Sequence, residues 1–296
     1  MKRVDFLKSL GILSLSATGM GDLNALSKWA KEWENYPVMM PALFIGHGAP
    51  MYTLNENEFS LKWRELGKSL PIPRAIVSIS AHWLTPGKTK VTAAQSPKTI
   101  HDFGRMDDRL FEINYPAPGS PELAAEIRTG VKSVEVEEDL QWGLDHGTWC
   151  VLNWMYPKAD IPVIQLSIDY GKGASYHFEL GRQLQFLRRK GVLIIGSGNI
   201  VHNLRMIKFP EDEKYDWAIE FDQKAKELMD LGDFQSLIHY EKLGRAAQLS
   251  IPTPDHYFPL MYTLGLKTEK DELSHPIDGG ISYGSTSMRS ILISEG

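Results

Sequence analysis

Apolar positions along this chain fall into two patterns. Short unbroken runs, Ala42-Leu43-Phe44-Ile45, Ala75-Ile76-Val77-Ser78-Ile79, Ile161 to Ile168 and Val192-Leu193-Ile194-Ile195, have the length and composition of buried strands. Between them lie stretches with helical spacing: Phe59 to Leu70, Pro121 to Val131, Tyr176 to Lys190 and Tyr215 to Leu231. Strands alternating with helices predict a doubly wound arrangement rather than a sandwich or a bundle. The expected fold is α/β, a single domain whose central mixed, mostly parallel sheet is flanked by helices.

The punctuation supports these elements. Pro71-Ile72-Pro73 breaks the first helix, Ser120 caps the second with Pro121 in its first turn, and Gly191 stops the third. Val134 and Val136 resume a strand, and Trp142 to Trp149 reads as a turn rich in glycine and aromatics. A shorter helix is expected from Phe234 to Leu243, then a proline-stiffened turn over Ile251 to Pro259 and an apolar helix. Ile281 to Ile293 reads as a closing strand. Thr85 to Pro118 is irregular, and so long an excursion in a compact domain suggests a binding loop or lid.

Several strand-like runs stop on or near a histidine: Gly46-His47-Gly48, Ser80-Ala81-His82 and Gly198-Asn199-Ile200-Val201-His202. In open α/β sheets ligands bind beyond the carboxyl ends of the strands, so these side chains are expected to share one site. His256 sits in the proline-stiffened turn. A single such histidine would read as a hydrogen-bonded, half-buried side chain. Four in turns of small or rigid residues point to metal binding, because imidazole is the commonest metal ligand. His146, in Asp145-His146-Gly147, joins them as a candidate that acts without ligating. His101 on the irregular loop is a candidate substrate contact, whereas His177, His239 and His275 are expected at the surface.

Composition narrows the chemistry. A single cysteine among 296 residues rules out an internal disulfide and a thiolate cluster, leaving nitrogen and oxygen as metal ligands. A net charge of −5 with mixed signs argues against nucleic-acid binding. Neutral imidazoles would suit iron(II) facing an anionic catecholate and dioxygen, and equally zinc facing a water. Residues 1–37 are expected to form a leader ahead of a catalytic domain at 38–296. Lys2-Arg3 followed by a mildly apolar stretch is similar to a twin-arginine export signal, with Val4 in place of the second arginine. Cytoplasmic and periplasmic locations both stay open, and no apolar stretch reaches the ~20 residues of a membrane span.

The ordered set Gly46-His47-Gly48-Ala49-Pro50, Ser78-Ile79-Ser80-Ala81-His82-Trp83, Ile100-His101-Asp102-Phe103, Gly143-Leu144-Asp145-His146-Gly147-Thr148-Trp149, Gly196-Ser197-Gly198-Asn199-Ile200-Val201-His202-Asn203-Leu204 and Pro252-Thr253-Pro254-Asp255-His256-Tyr257 carries a family likeness. Tyr115-Pro116-Ala117-Pro118-Gly119 and Gly284-Ser285-Thr286-Ser287-Met288-Arg289-Ser290 extend it. The chain resembles the class III extradiol ring-cleavage dioxygenases of the DOPA 4,5-dioxygenase type. That resemblance implies cleavage of a small aromatic diol by O2 to a muconic semialdehyde, in a monomer or homo-oligomer. It further implies that His47, His82 and His256 hold Fe(2+), with Zn(2+) able to occupy the same site. His202 would be a fourth ligand or the base that takes the catechol proton, and His146 would contact substrate or dioxygen. Gly104-Arg105-Met106 departs from the aromatic-glycine-aromatic run of the family, so Arg105 becomes a candidate for selecting an acidic side chain on the substrate. A zinc-dependent hydrolase and a non-catalytic metal-binding relative on the same scaffold are the alternatives.

Overall fold

The four expected apolar runs assemble side by side in the computed structural model, which describes residues 36–211 and 213–296. Strands β1 (Ala42–Gly46), β2 (Ala75–Ser80), β3 (Val163–Gln165) and β4 (Val192–Gly198) are buried at every position. Burial on both faces is what unbroken apolar runs of this kind signify. β5 (Asp271–Ile277) and β6 (Ser290–Glu295) complete a six-stranded sheet of order β3-β2-β4-β1-β6-β5. The pairings β3/β2, β2/β4 and β4/β1 are parallel, and β1/β6 and β6/β5 are antiparallel.

Among the described residues, six helices of eight or more residues pack around it: α1 (Glu58–Ser69), α2 (Pro121–Gly130), α3 (His146–Met155), α4 (Ala174–Arg188), α5 (Asp216–Asp230) and α6 (Phe258–Gly265). Period-two alternation divides the sheet between two layers. Leu43, Ile45, Ile76, Leu193 and Ile195 join Trp63 of α1 and Trp149 and Leu152 of α3 in one core. On the other face Gly196 lies against Pro259 and Thr263 of α6, leaving no room for a side chain. α6 in turn packs closely on α4, where Gly181 meets the Tyr262 carbonyl and Gly265 the Phe178 carbonyl.

Several expectations need correction. The Trp142 to Trp149 stretch is not all turn: Asp145 caps α3, accepting from the Thr148 N–H at 3.2 Å, so His146 opens a helix. The strand expected over 161–168 shortens to β3 and a separate two-residue piece, Ile168–Asp169. The 234–243 helix divides into Phe234–Ile238 and a 3-10 turn, Tyr240–Lys242. The closing strand is three pieces, Ile281–Ser282, Thr286–Ser287 and β6. β5 escaped notice because it is an edge strand, polar along one side and carrying Pro276, which an edge tolerates. His177 is no surface residue; it is fully buried between α4 and α6, with Nδ1 3.2 Å from the Tyr262 hydroxyl. His275 lies in β5 with its Nε2 2.7 Å from Asp230. The expected leader lies outside the described residues except for Tyr36 and Pro37. Among the described residues no helix is long and apolar enough to cross a membrane.

Candidate metal centre and active site

Because β1, β2 and β4 run parallel, their carboxyl ends open on one edge of the sheet. His47 follows β1 directly, His82 lies two residues beyond β2, and His202 four beyond β4. The start of α3 brings His146 to the same edge, and the turn before α6 brings His256, whose carbonyl accepts the Asn199 N–H at 2.9 Å. One ligand atom each from His47, His82 and His256 lie within 4.8 Å of one another. His82 and His47 approach with Nε2 to Nε2 at 3.3 Å.

The tautomers follow from the second nitrogen of each ring. Ser197 gives its hydroxyl proton to the Gly147 carbonyl at 2.5 Å, so at 3.0 Å it accepts from His47 Nδ1–H. His82 Nδ1 faces the Asp102 carboxylate at 3.3 Å, and His256 Nδ1 is bonded to Asp255. Each ring therefore carries its proton on Nδ1 and turns an Nε2 lone pair to the common centre, the arrangement by which outer partners orient metal-ligating histidines. Two lone pairs 3.3 Å apart in this part-buried site repel unless a proton or a cation sits between them. The donor set fits a divalent transition metal of borderline softness, iron(II) and zinc alike.

Electrostatics push the same way. Burial, then the neighbouring imidazoles, hold His47 and His82 well below the ordinary histidine pKa, so both are neutral and able to ligate at neutral pH. Burial raises the Asp102 carboxyl, but the adjacent His146 ring and the His146 main-chain N–H outweigh it and leave Asp102 below its usual range. Burial likewise opposes ionisation of Asp255, and bonding to His256 reverses the balance. Both carboxylates are charged, partly compensating a metal that neutral imidazoles would leave dipositive.

His202 is not a member of the His47, His82 and His256 group. Its ring stacks flat on His256, 3.4 Å between centroids and 9° between planes, and its ligating atom groups instead with Asp255 and His256. Its main chain is pinned, the N–H donating to the Ser250 carbonyl at 2.9 Å and the residue bridging to Thr286. His146 stands 3.8 Å, ring to ring, from His82. Its main-chain N–H bonds Asp102 Oδ1 at 2.9 Å, while its Nδ1, 3.0 Å from the same oxygen, lacks the alignment of a hydrogen bond.

The 101–112 loop forms an aromatic wall beside His146. Phe103 meets that ring edge-on at 5.4 Å, and Phe111, Trp149 and His101 pack behind. His101 Nε2 donates to the Ile113 carbonyl at 3.0 Å, which leaves its ring as part of the wall. Arg105 projects into solvent and is bound to Asp108 at 3.0 and 3.1 Å.

Asp102, Asp255 and Ser197 went unassigned by sequence reasoning. Asp102 and Asp255 adjoin histidines in the motifs and could have been found there; nothing local marks Ser197, whose role depends on two other elements meeting over it.

The sequence profile of a family described as the catalytic LigB subunit of aromatic ring-opening dioxygenase matches residues 41–285. A 4,5-DOPA dioxygenase extradiol of Escherichia coli (strain K12) is 47% identical over 259 residues, covering 86% of this chain and 94% of that protein. The protein of the same name from Beta vulgaris is 40% identical over 255 residues, covering 82% and 94%. A crystal structure of an uncharacterized Escherichia coli K12 protein superposes with a TM-score of 0.74 at 43% identity, covering 86% of this chain and 99% of that one.

Proposed function

This chain belongs to the family of catalytic LigB subunits of aromatic ring-opening dioxygenases and is an extradiol dioxygenase; from that premise we propose that it cleaves a DOPA-like catechol at an iron(II) held by His47, His82 and His256. The observation that carries the reading is the convergence of those three side chains, each with its Nδ1 already committed and its Nε2 turned inward. A bound iron(II) would bring catecholate and dioxygen onto one centre and allow electron density to pass between them.

The chain's own residues supply the rest. His202 is the base. Burial and the adjacent His256 hold its pKa well below the ordinary value, against the opposite pull of Asp255, so the ring is unprotonated at neutral pH and open to receive the phenol proton once the catechol oxygen is made more acidic by a bound cation. The stack on His256 sets that ring beside the ligand group. His146, against His82, is the group to deliver a proton as the ring opens. Phe103 and the wall behind it offer an apolar face to the catechol ring and keep water from it. With Arg105 turned to Asp108, that loop meets the substrate through aromatic contact rather than charge.

Anaerobic reconstitution of the metal-free protein with iron(II) or with zinc, followed by air and a panel of catechols, tests this reading. The iron form alone should produce the yellow semialdehyde, fastest with DOPA-like substrates. No product from any catechol at full iron occupancy, together with ester or amide hydrolysis by the zinc form, would replace it with a zinc hydrolase.

A further inference from the structure

Asp102 occupies a position for which the ring-cleavage reading supplies no role. It comes from the irregular loop, not from the sheet, yet its two oxygens reach separate parts of the site. Oδ2 lies 3.3 Å from His82 Nδ1; Oδ1 lies 3.0 Å from His146 Nδ1 and accepts the His146 main-chain N–H at 2.9 Å. One carboxylate thus meets a metal-ligand candidate, an acid-base candidate and the first turn of α3. The ligating atoms of His82, Asp102 and His146 all lie within 4.8 Å of one another. The next residue, Phe103, is the aromatic that faces His146.

We infer that Asp102 is a positioning residue that clamps His82 in its metal-binding tautomer, orients His146, and ties the aromatic substrate wall to both. The chemistry is specific to a carboxylate. An ionised Asp is acceptor-only, with about four lone-pair sites, so it can face two ring N–H groups and a main-chain N–H at once. With Nδ1–H held against it, His82 has only Nε2 to offer a cation, and the negative charge raises the basicity of that nitrogen. His146 Nδ1 is buried with no aligned partner, and rotation of its ring turns the 3.0 Å contact into a hydrogen bond. The main-chain bond to His146 fixes the loop at the base of the wall, so loop and metal site are set by the same side chain.

The inference rests on the assignment of His82 and His146 to the dioxygenase site, and its test is separable from that assignment. Asp102→Asn keeps the size of the side chain but offers one acceptor oxygen for the three donors, and its amide presents N–H groups to at least one of them. Zinc affinity, measured by competition with a chromophoric chelator, should fall roughly 10–100-fold, the usual effect of losing an outer partner of a ligating histidine. Thermal unfolding of the metal-free variant controls for a merely structural role and should stay near wild type. At saturating iron kcat should also fall, with a shifted pH profile, because His146 loses its orienting charge; Asp102→Glu should restore part of the zinc affinity. An affinity loss in a protein that cleaves no catechol would leave the clamp standing and remove the dioxygenase reading. Zinc affinity within twofold of wild type in Asp102→Asn would overturn the clamp, whatever the activity.

Discussion

At the scale of single residues, this site is governed by what each imidazole does with its second nitrogen. Ser197 and Asp255 are hydrogen-bonded to the Nδ1 atoms of His47 and His256, Asp102 faces that of His82 at 3.3 Å, and one ligand atom from each ring converges with the others within 4.8 Å. His202 differs: it stacks on His256 and stands outside the His47, His82 and His256 group. Replacing His202 with Gln should leave metal content intact and lower kcat by about 10²–10⁴, the range expected for loss of a positioned base. Metal analysis beside steady-state kinetics checks this, and unchanged turnover would remove His202 from the mechanism. The positions of these histidines at the ends of apolar runs were legible in the sequence. Their partners were less so, since Ser197 works only because the α3 carbonyl of Gly147 takes its proton.

Among the elements, the N-terminus of α3 decides most. Asp145 caps it, and its buried carboxyl, pushed up to about 6 by burial and by the charge of Asp102, is further held by Gln165 Nε2 at 2.7 Å. The helix starts against the end of β2 with nothing to spare: a Cβ on Gly147 would lie 2.5 Å from Ser80 Oγ and 3.0 Å from His82 Cδ2. In a free helix Gly→Ala would add roughly 0.5–1 kcal/mol of stability. Here Gly147→Ala should move α3 away from β2, disturbing His82 directly and His47 through Ser197. The expected result is at least about a 10-fold weaker metal affinity with helix content unchanged by far-UV circular dichroism; wild-type affinity would show that α3 does not set the ligands. The sequence led to a turn here because glycine and aromatics dominate the segment, and the cap at Asp145 is read with certainty only once its acceptor contact is seen.

For the molecule as a whole, gathering neutral histidines in a dry interior makes stability depend on acid. His47, His82 and His202 have lowered pKa values, and so does His177, pushed down to about 3 chiefly by burial. A base with a depressed folded pKa gains its proton more readily when unfolded. Its contribution is complete above the unfolded value near 6.5 and declines as pH falls toward the folded value. His177 alone should cost about 2 kcal/mol of stability on going from pH 7.5 to pH 5. Urea unfolding of metal-free His177→Gln should therefore show a shallower loss between those pH values than wild type, and equal slopes would contradict the assignment. The fold class, the four buried apolar runs and the histidines beyond three of them were determined by the sequence itself, because apolar runs and glycine turns are local properties. Which strands pair, that β5 and β6 extend the sheet antiparallel, that His177 is buried, and that Asp102, Ser197 and Asp255 hold the imidazoles were decided only in three dimensions. Those facts depend on contacts between segments far apart in the chain, and no local pattern encodes which distant segments will meet.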